Sequence, residues 1–228
     1  MAPPAASVTL VSTYHEESGA VNVEALAGIL ESLRPEVIFL EIPPDVFADY
    51  DQGLRGNLES TAARRHRDSH DVTLVPVDLP TPDASFFYHD KELHRHVERV
   101  SPDYRHLIDQ HRLARMQHGF SYLNSDDCSE AWSRINTAIV SAVERLPDRP
   151  SLLEHLASAA RIYESRDTAM LANIETFQRH SAFSTGALLV GAAHRRSLIC
   201  KSRERPQDAP QITWSAFDGA EWRGITTA

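Results

Sequence analysis

The chain is expected to fold as an α/β protein: a mostly parallel sheet of about five or more strands, flanked by helices, with a large helical insertion in the middle. Three observations predict it. Strand-like and helix-like stretches alternate over the first 80 residues, residues 91–180 carry helical patterns without a convincing strand, and the alternation resumes at residue 186. Strands separated by helices point to a parallel sheet joined by right-handed crossovers.

The elements follow in order. Residues 8–13, Val-Thr-Leu-Val-Ser-Thr, form a short β-branched run and are expected to be a strand. Asn22 then caps a helix whose Val23, Leu26, Ile29, Leu30 and Leu33 follow 3.6-residue spacing, and Pro35 stops it. Residues 36–41, Glu-Val-Ile-Phe-Leu-Glu, give the continuous apolar core of a strand buried on both faces. Pro43 and Pro44 end that strand and open a helical stretch expected to reach about Arg67. Residues 72–78 are a third strand, and Pro76, which lacks a ladder donor, assigns it to an edge or a bulge. The helical middle is broken at Ser101-Pro102, at Gly119 and across residues 147–150. Residues 186–191 form the next strand, a helix runs from His194 to about Arg203, residues 206–210 make a loop, and residues 211–217 form the last strand. One domain is expected in three parts: an α/β half over 1–85, a helical insertion over 86–160 and a second α/β half over 161–228.

Composition excludes several function classes. The 228 residues carry 23 Lys+Arg against 32 Asp+Glu, a formal charge of −9. Nucleic-acid binders need a basic face to neutralise phosphates, so no nucleic-acid partner is expected. The basic run Arg64-Arg65-His66-Arg67 sits at an expected helix C-terminus, where cations offset the macrodipole. Cys128 and Cys200 cannot build a disulfide framework, which favours a reducing compartment. The longest mainly apolar run, residues 183–193, falls short of the roughly 20 residues of a membrane span. The first residues show no basic segment of a signal peptide. A soluble, cytoplasmic protein without a membrane partner is expected. Its 12 histidines are the unusual count.

Residues capable of acid–base and ligand chemistry fall directly after expected strands. His15 and Glu16 follow the first, Glu41 ends the second, Asp78 ends the third, and His194 follows Gly191-Ala-Ala after the fourth. Open parallel sheets bind ligands at the carboxyl ends of their strands, so the topology should gather these side chains on one edge. Each also has an ordinary reading. Asp78 serves equally as a helix cap, His15 as a solvated loop residue, and Arg166, on a helix leading to the fourth strand, as a surface partner of Glu164 or Asp167. Glu41, ending an apolar strand, should be partly buried and in need of a partner. Gly191 lets the backbone turn sharply before His194.

These residues resemble the TraB/Tiki family. Ser12-Thr-Tyr-His15, Val37-Ile-Phe-Leu-Glu41, Arg166-Asp167 and Leu189-Val-Gly191-Ala-Ala-His194 carry the resemblance, over about 120 residues. The wider superfamily takes in erythromycin esterases and the haem-binding ChaN-like proteins. Its mark is a pair of Gly-x-x-His motifs with a Glu after the second strand and an Arg. The second motif is complete here, whereas the first has Ser12 in place of Gly. The resemblance implies a bacterial-type hydrolase of an ester or peptide bond, of metal-dependent peptidase or metal-free esterase type, in a form without membrane helices.

Two mechanisms use the same residues. With a divalent ion (Zn, Mn, Co or Fe), His15, Glu41 and His194 supply three ligands, and Asp78 or Glu16 acts as base or as partner to a ligand histidine. Without a metal, His15 paired with Glu41 activates water while Arg166 and His194 stabilise the oxyanion. The alternatives are a non-catalytic module binding haem or a small molecule, and a signalling or conflict-system domain. His89, His94, His96, His106, His111 and His118 all fall in the helical middle, where a solvated face, in part over the cleft, is the expected role. His111 and His118 share a face if no break intervenes, whereas His94 and His96 diverge. Trp132, Trp214 and Trp222 are expected as core or edge aromatics.

Overall fold

The computed structural model describes residues 6–204, 211–219 and 222–224. Its sheet consists of β1 (Ala6–Thr13), β2 (Val37–Leu40), β3 (Thr73–Pro76), β4 (Thr185–Gly191), β5 (Ile212–Phe217) and β6 (Trp222–Gly224). They lie in the order β3-β2-β4-β1-β5-β6. β1 to β5 are all parallel, and β6 adds an antiparallel edge on β5. Thr13 stands opposite Gly191, and Leu40 opposite both Leu189 and Pro76, so β1 to β4 finish on the same edge of the sheet.

The strands are apolar on both faces because helices cover both. Val11, Ile38, Leu40, Ala187 and Leu189 pack on α1 (Val23–Leu33) and α3 (Leu58–Arg67). The alternate residues Val8, Leu10, Val37, Phe39, Leu188 and Val190 pack on α7 (Arg149–His180) and α8 (Arg195–Arg203). This period of two is the pleat itself. The middle of the chain forms α4 (Ala84–Val100), α5 (Pro102–Leu123) and α6 (Asp126–Val143), which share a separate core around Leu93, Val97, Ile135, Ile139 and Val143. No helix among the described residues is long and apolar enough to cross a membrane.

Several boundaries differ from expectation. The single helix expected from Pro43 to Arg67 is two, α2 (Phe47–Asp51) and α3, because Asn57 and Ser60 form a capping box that starts α3 afresh. β3 is shorter than residues 72–78, and its Pro76 lies on the outermost strand, where no ladder donor is required. α7 runs unbroken through residue 160, so the boundary expected between insertion and second half falls inside a 32-residue helix. Gly119 has φ +57 inside α5, and a Cβ there would lie 2.8 Å from the Ala20 carbonyl oxygen, so close packing on the loop after β1 demands glycine. β6 was not expected. The loop expected over 206–210 lies outside the described residues, and of Trp222 only the backbone is described.

Candidate functional site

The strand ends do converge. The Glu41 side chain, just past β2, is 4% exposed, and each of its oxygens has a partner. Oε2 accepts the Gly191 N–H at 2.7 Å, while Oε1 accepts Arg166 Nη2 at 2.6 Å and faces His194 Nε2 at 3.2 Å. Burial would raise its pKa, but the His194 hydrogen bond and the charges of His194, His15 and Arg166 prevail and hold it at about 2.

Asp78, following β3, is also buried and grips Arg166 with both oxygens. Arg166 Nε donates at 3.0 and 3.2 Å, and Nη2 donates at 2.6 Å. Asp78 Oδ1 additionally accepts the Leu79 N–H. Arg166 therefore spans two carboxylates from two strand ends. It is not the surface partner of Glu164 or Asp167, since Glu164 pairs with Lys201 and Asp167 with His194. Burial opposes the guanidinium charge, and Asp78 and Glu41 more than restore it, raising its pKa. Arg166 Nη1 has no hydrogen-bond partner among the described residues.

His194 ends the single 3₁₀ turn Ala192–His194 after β4 and is buried. Its Nδ1 meets Asp167 Oδ1 and its Nε2 meets Glu41 Oε1, so an acceptor lies beside each ring nitrogen. Burial alone would favour neutral imidazole, but these two carboxylates raise its pKa to about 9. His194 is an imidazolium held in place.

His15 differs. Its Nδ1 lies 3.0 Å from Glu59 Oε1, an oxygen that also accepts Thr13 Oγ1 at 2.5 Å. Glu59 comes from α3 and is 3% exposed, whereas the His15 side chain is 52% exposed. The Glu59 hydrogen bond, outweighing partial burial, lifts the His15 pKa to about 9. With Nδ1 bound to Glu59, Nε2 is left on the other side of the ring. A Cβ at position 191 would sit 3.4 Å from His15 Nε2 and 3.3 Å from Glu41 Oε2. Gly191 is therefore where backbone, imidazole and carboxylate approach each other.

These groups line one cavity of about 580 Å³, together with Tyr14, Tyr50, Phe86, Phe87, Ile162, Tyr163, His111 and Trp132. The Tyr163 ring lies 5.5 Å from the His194 ring and 5.8 Å from the Arg166 guanidinium carbon. Of the candidates, His15, Glu41, Asp78, Arg166 and His194 all line it. Glu16 does not; it is exposed, and no base role attaches to it. Asp78 is committed to Arg166 and has no histidine partner among the hydrogen bonds described, which removes it as a free base. The partner of His15 is Glu59, not Glu41.

His15, Glu41 and His194 are not a group whose ligand atoms all lie within 4.8 Å of one another. His194 Nδ1 is taken by Asp167, and its Nε2 lies 3.2 Å from Glu41 Oε1. The Glu41 oxygens are bonded to Gly191 and to a guanidinium. Elsewhere, Glu31, His66 and His70 bring one ligand atom each within 4.8 Å of one another, a group that could hold a metal ion. None of the three lines the cavity.

Glu59, Thr13, Tyr163 and Trp132 also stand at the site, though no motif in the sequence points to them, and Asp167 holds His194 instead of a surface arginine. Among the histidines of the middle, His111 lines the cavity and is buried, whereas His118, one residue before the Gly119 kink, is exposed. His94 turns to the Tyr104 hydroxyl, within the helical core.

Fold and site together define an α/β protein with a charged cavity at the carboxyl edge of a parallel sheet. No family model and no curated protein matches the chain. Among solved structures, a Bacillus cereus protein is similar at 11% identity with a TM-score of 0.38, over 93% of this chain and 65% of that one. The chain thus spans under two thirds of that protein's length.

Proposed function

We propose that this protein is a hydrolase of a peptide or small-molecule ester, of the TraB/Tiki-like kind, working through His15 without a metal in the cavity. The observation that supports this best is the His15–Glu59 pair: Glu59 fixes Nδ1 as the donor, leaving Nε2 to act on water beside two cations that carboxylates hold in place. Neutral His15 takes a proton from water as the oxygen attacks the substrate carbonyl carbon. Arg166 Nη1 donates to the oxyanion, and the His194 charge adds to the field there. As the carbon–oxygen or carbon–nitrogen bond breaks, the His15 imidazolium returns its proton to the leaving group. Glu41, Asp78 and Asp167 hold Arg166 and His194 and touch no reacting atom.

A bound metal, in this reading, belongs to Glu31, His66 and His70 and takes no part in the reaction. Free Cys128 and Cys200 agree with a reducing, cytoplasmic setting. The test is a panel of p-nitrophenyl esters and short peptides run on wild type and His15→Ala after exhaustive chelation. Activity that survives chelation and vanishes in His15→Ala is the expected result. A panel with no turnover above background would leave a binding or signalling role in its place.

A further inference from the structure

Away from the cavity, a second cluster lies where α1 and α3 pack against each other. Glu31 belongs to α1, His66 to the last turn of α3, and His70 to the turn just past the end of that helix. Each offers one ligand atom, and the three atoms all lie within 4.8 Å of one another. Glu31 Oε2 is 3.2 Å from His70 Nε2 and 4.0 Å from His66 Nδ1. The two imidazole rings stack at 4.2 Å, 16° from parallel. Arg34 reaches only the other Glu31 oxygen, Oε1, at 4.0 Å.

The hydrogen bonds around these rings decide which nitrogens face the carboxylate. His70 Nδ1 lies 3.0 Å from the His66 carbonyl oxygen, which can only accept. Nδ1 therefore carries the proton of neutral His70, and the lone pair is on Nε2. That lone pair faces a Glu31 oxygen at 3.2 Å, a repulsive contact unless a cation sits between them. A proton can bridge 3.2 Å, but the 4.0 Å from Glu31 to His66 Nδ1 exceeds hydrogen-bond range. A metal ion can serve all three residues. Bonds of roughly 2.0–2.1 Å to a tetrahedral ion set the ligand atoms about 3.3 Å apart. The His70 edge is thus in place, and the His66 edge needs to close by roughly 0.7 Å. Glu31, with its side chain 53% exposed, has room for that move and gives the ion a way in from solvent. His66 Nε2 is buried without a hydrogen-bond partner among the described residues, so Nδ1 is the nitrogen this ring can offer.

We infer that Glu31, His66 and His70 bind one divalent ion of the zinc class, through a carboxylate oxygen, His66 Nδ1 and His70 Nε2, and that this ion fastens the end of α3 to α1. Two imidazoles with one carboxylate suit Zn²⁺, Co²⁺ and Ni²⁺ better than Ca²⁺ or Mg²⁺, which take oxygen ligands. Water from the exposed side completes the coordination. Elsewhere along this contact the polar link between the two helices is the exposed Arg65–Glu24 pair, which adds little. The ion is independent of the hydrolase reading, since none of its three ligands lines the cavity.

The test does not depend on turnover. The whole chain is stripped by exhaustive chelation and titrated with Co²⁺, whose visible absorption reports a tetrahedral site. The expected result is a saturable band at one ion per chain, displaced by Zn²⁺ and equal in wild type and His15→Ala. Glu31→Gln and His70→Ala, at positions open to solvent, should each weaken Co²⁺ binding by more than about tenfold, since even the outer partner of a metal ligand is worth that much. Zinc should raise the urea midpoint of wild type and leave that of His70→Ala where it was. No band in wild type, or a band that keeps full affinity in both variants, overturns the site. A band lost in His15→Ala also overturns it, by placing the ion in the cavity. Zinc binding without a rise in the urea midpoint means that the unfolded chain binds equally well, and overturns the fastening of α3 to α1.

Discussion

Glu41 Oε1 lies 2.6 Å from Arg166 Nη2 and 3.2 Å from His194 Nε2, so one buried carboxylate oxygen joins a cation from α7 to a cation from the turn after β4. Removing that charge leaves both cations uncompensated. Glu41→Gln is expected to lower unfolding free energy by about 3 kcal/mol, read from urea midpoints. Arg166→Met also strands buried Asp78, so Glu41→Gln combined with Arg166→Met should lose further stability, but less than the sum of the two single losses, because the Glu41–Arg166 contact is removed only once. Strictly additive losses would contradict the pairing.

The pH dependence of stability follows from the same cluster. The His194 pKa rises from 6.5 to about 9 on folding, so its contribution is fully present below 6.5 and is lost as pH climbs through 9. The Glu41 pKa falls from 4.5 to about 2, so its contribution is present above 4.5 and is lost as pH drops through 2. Buried His111, with its pKa lowered to about 4, takes stability away as pH falls below 6.5, so urea midpoints are expected to be highest near pH 6.5 and to decline on both sides. In His194→Gln the alkaline decline should flatten.

Turnover should follow a different group. If neutral His15 is the base, kcat/KM rises with pH toward about 9, where the imidazolium loses its proton. Glu59→Gln removes the carboxylate that holds that proton and should move the inflection down toward the ordinary 6.5. An inflection that stays put in Glu59→Gln would assign the titration to another residue.

Metal content separates the two histidine groups. Elemental analysis after equilibration with zinc is expected to show the same occupancy in wild type and His194→Ala, and a loss in Glu31→Gln and His66→Ala. A loss in His194→Ala would return the ion to the cavity.

The first Gly-x-x-His position also has a structural account. Ser12 is buried, and Asn124 accepts its N–H at 2.7 Å and donates to its carbonyl at 2.9 Å, while Arg195 reaches its hydroxyl at 3.4 Å. Asn124→Ala strands two buried backbone groups and is expected to cost about 2–4 kcal/mol. Ser12→Gly keeps both backbone bonds and should cost far less. Thermal denaturation of the two variants checks the contrast.

The parallel sheet and the residues at its edge were legible because strand ends announce themselves. Apolar runs stop, and Glu41, Asp78 and His194 stand where they stop. Arg166 was recognised from a motif, but its two carboxylate partners lie 88 and 125 positions away, a pairing that only the topology creates. Glu59 gave no comparable signal. It sits in the first turn of α3, where an acidic residue ordinarily offsets the helix dipole, and its burial depends on how α3 packs under β1. Trp132 and His111 belong to helices whose periodicity describes their own small core, so their turn toward the cavity follows from how the helical layer seats on the sheet. The break between α2 and α3 was hidden by a helical pattern on each side.

The long helix α7 supplies Tyr163, Arg166 and Asp167 at steps of three and four residues, the spacing of a single turn. Their mutual placement is therefore built in by helical geometry and needs no loop to set it. One stiff rod carries an aromatic ring, the cation clasped by two strand ends, and the anchor of a histidine from a third. A one-residue insertion upstream of Tyr163 would leave this trio intact. The same insertion between Tyr163 and Arg166 would swing the ring about 100° around the rod relative to the two charges. Length changes should thus be tolerated in the loops and outer turns that feed this helix, and not within those five positions.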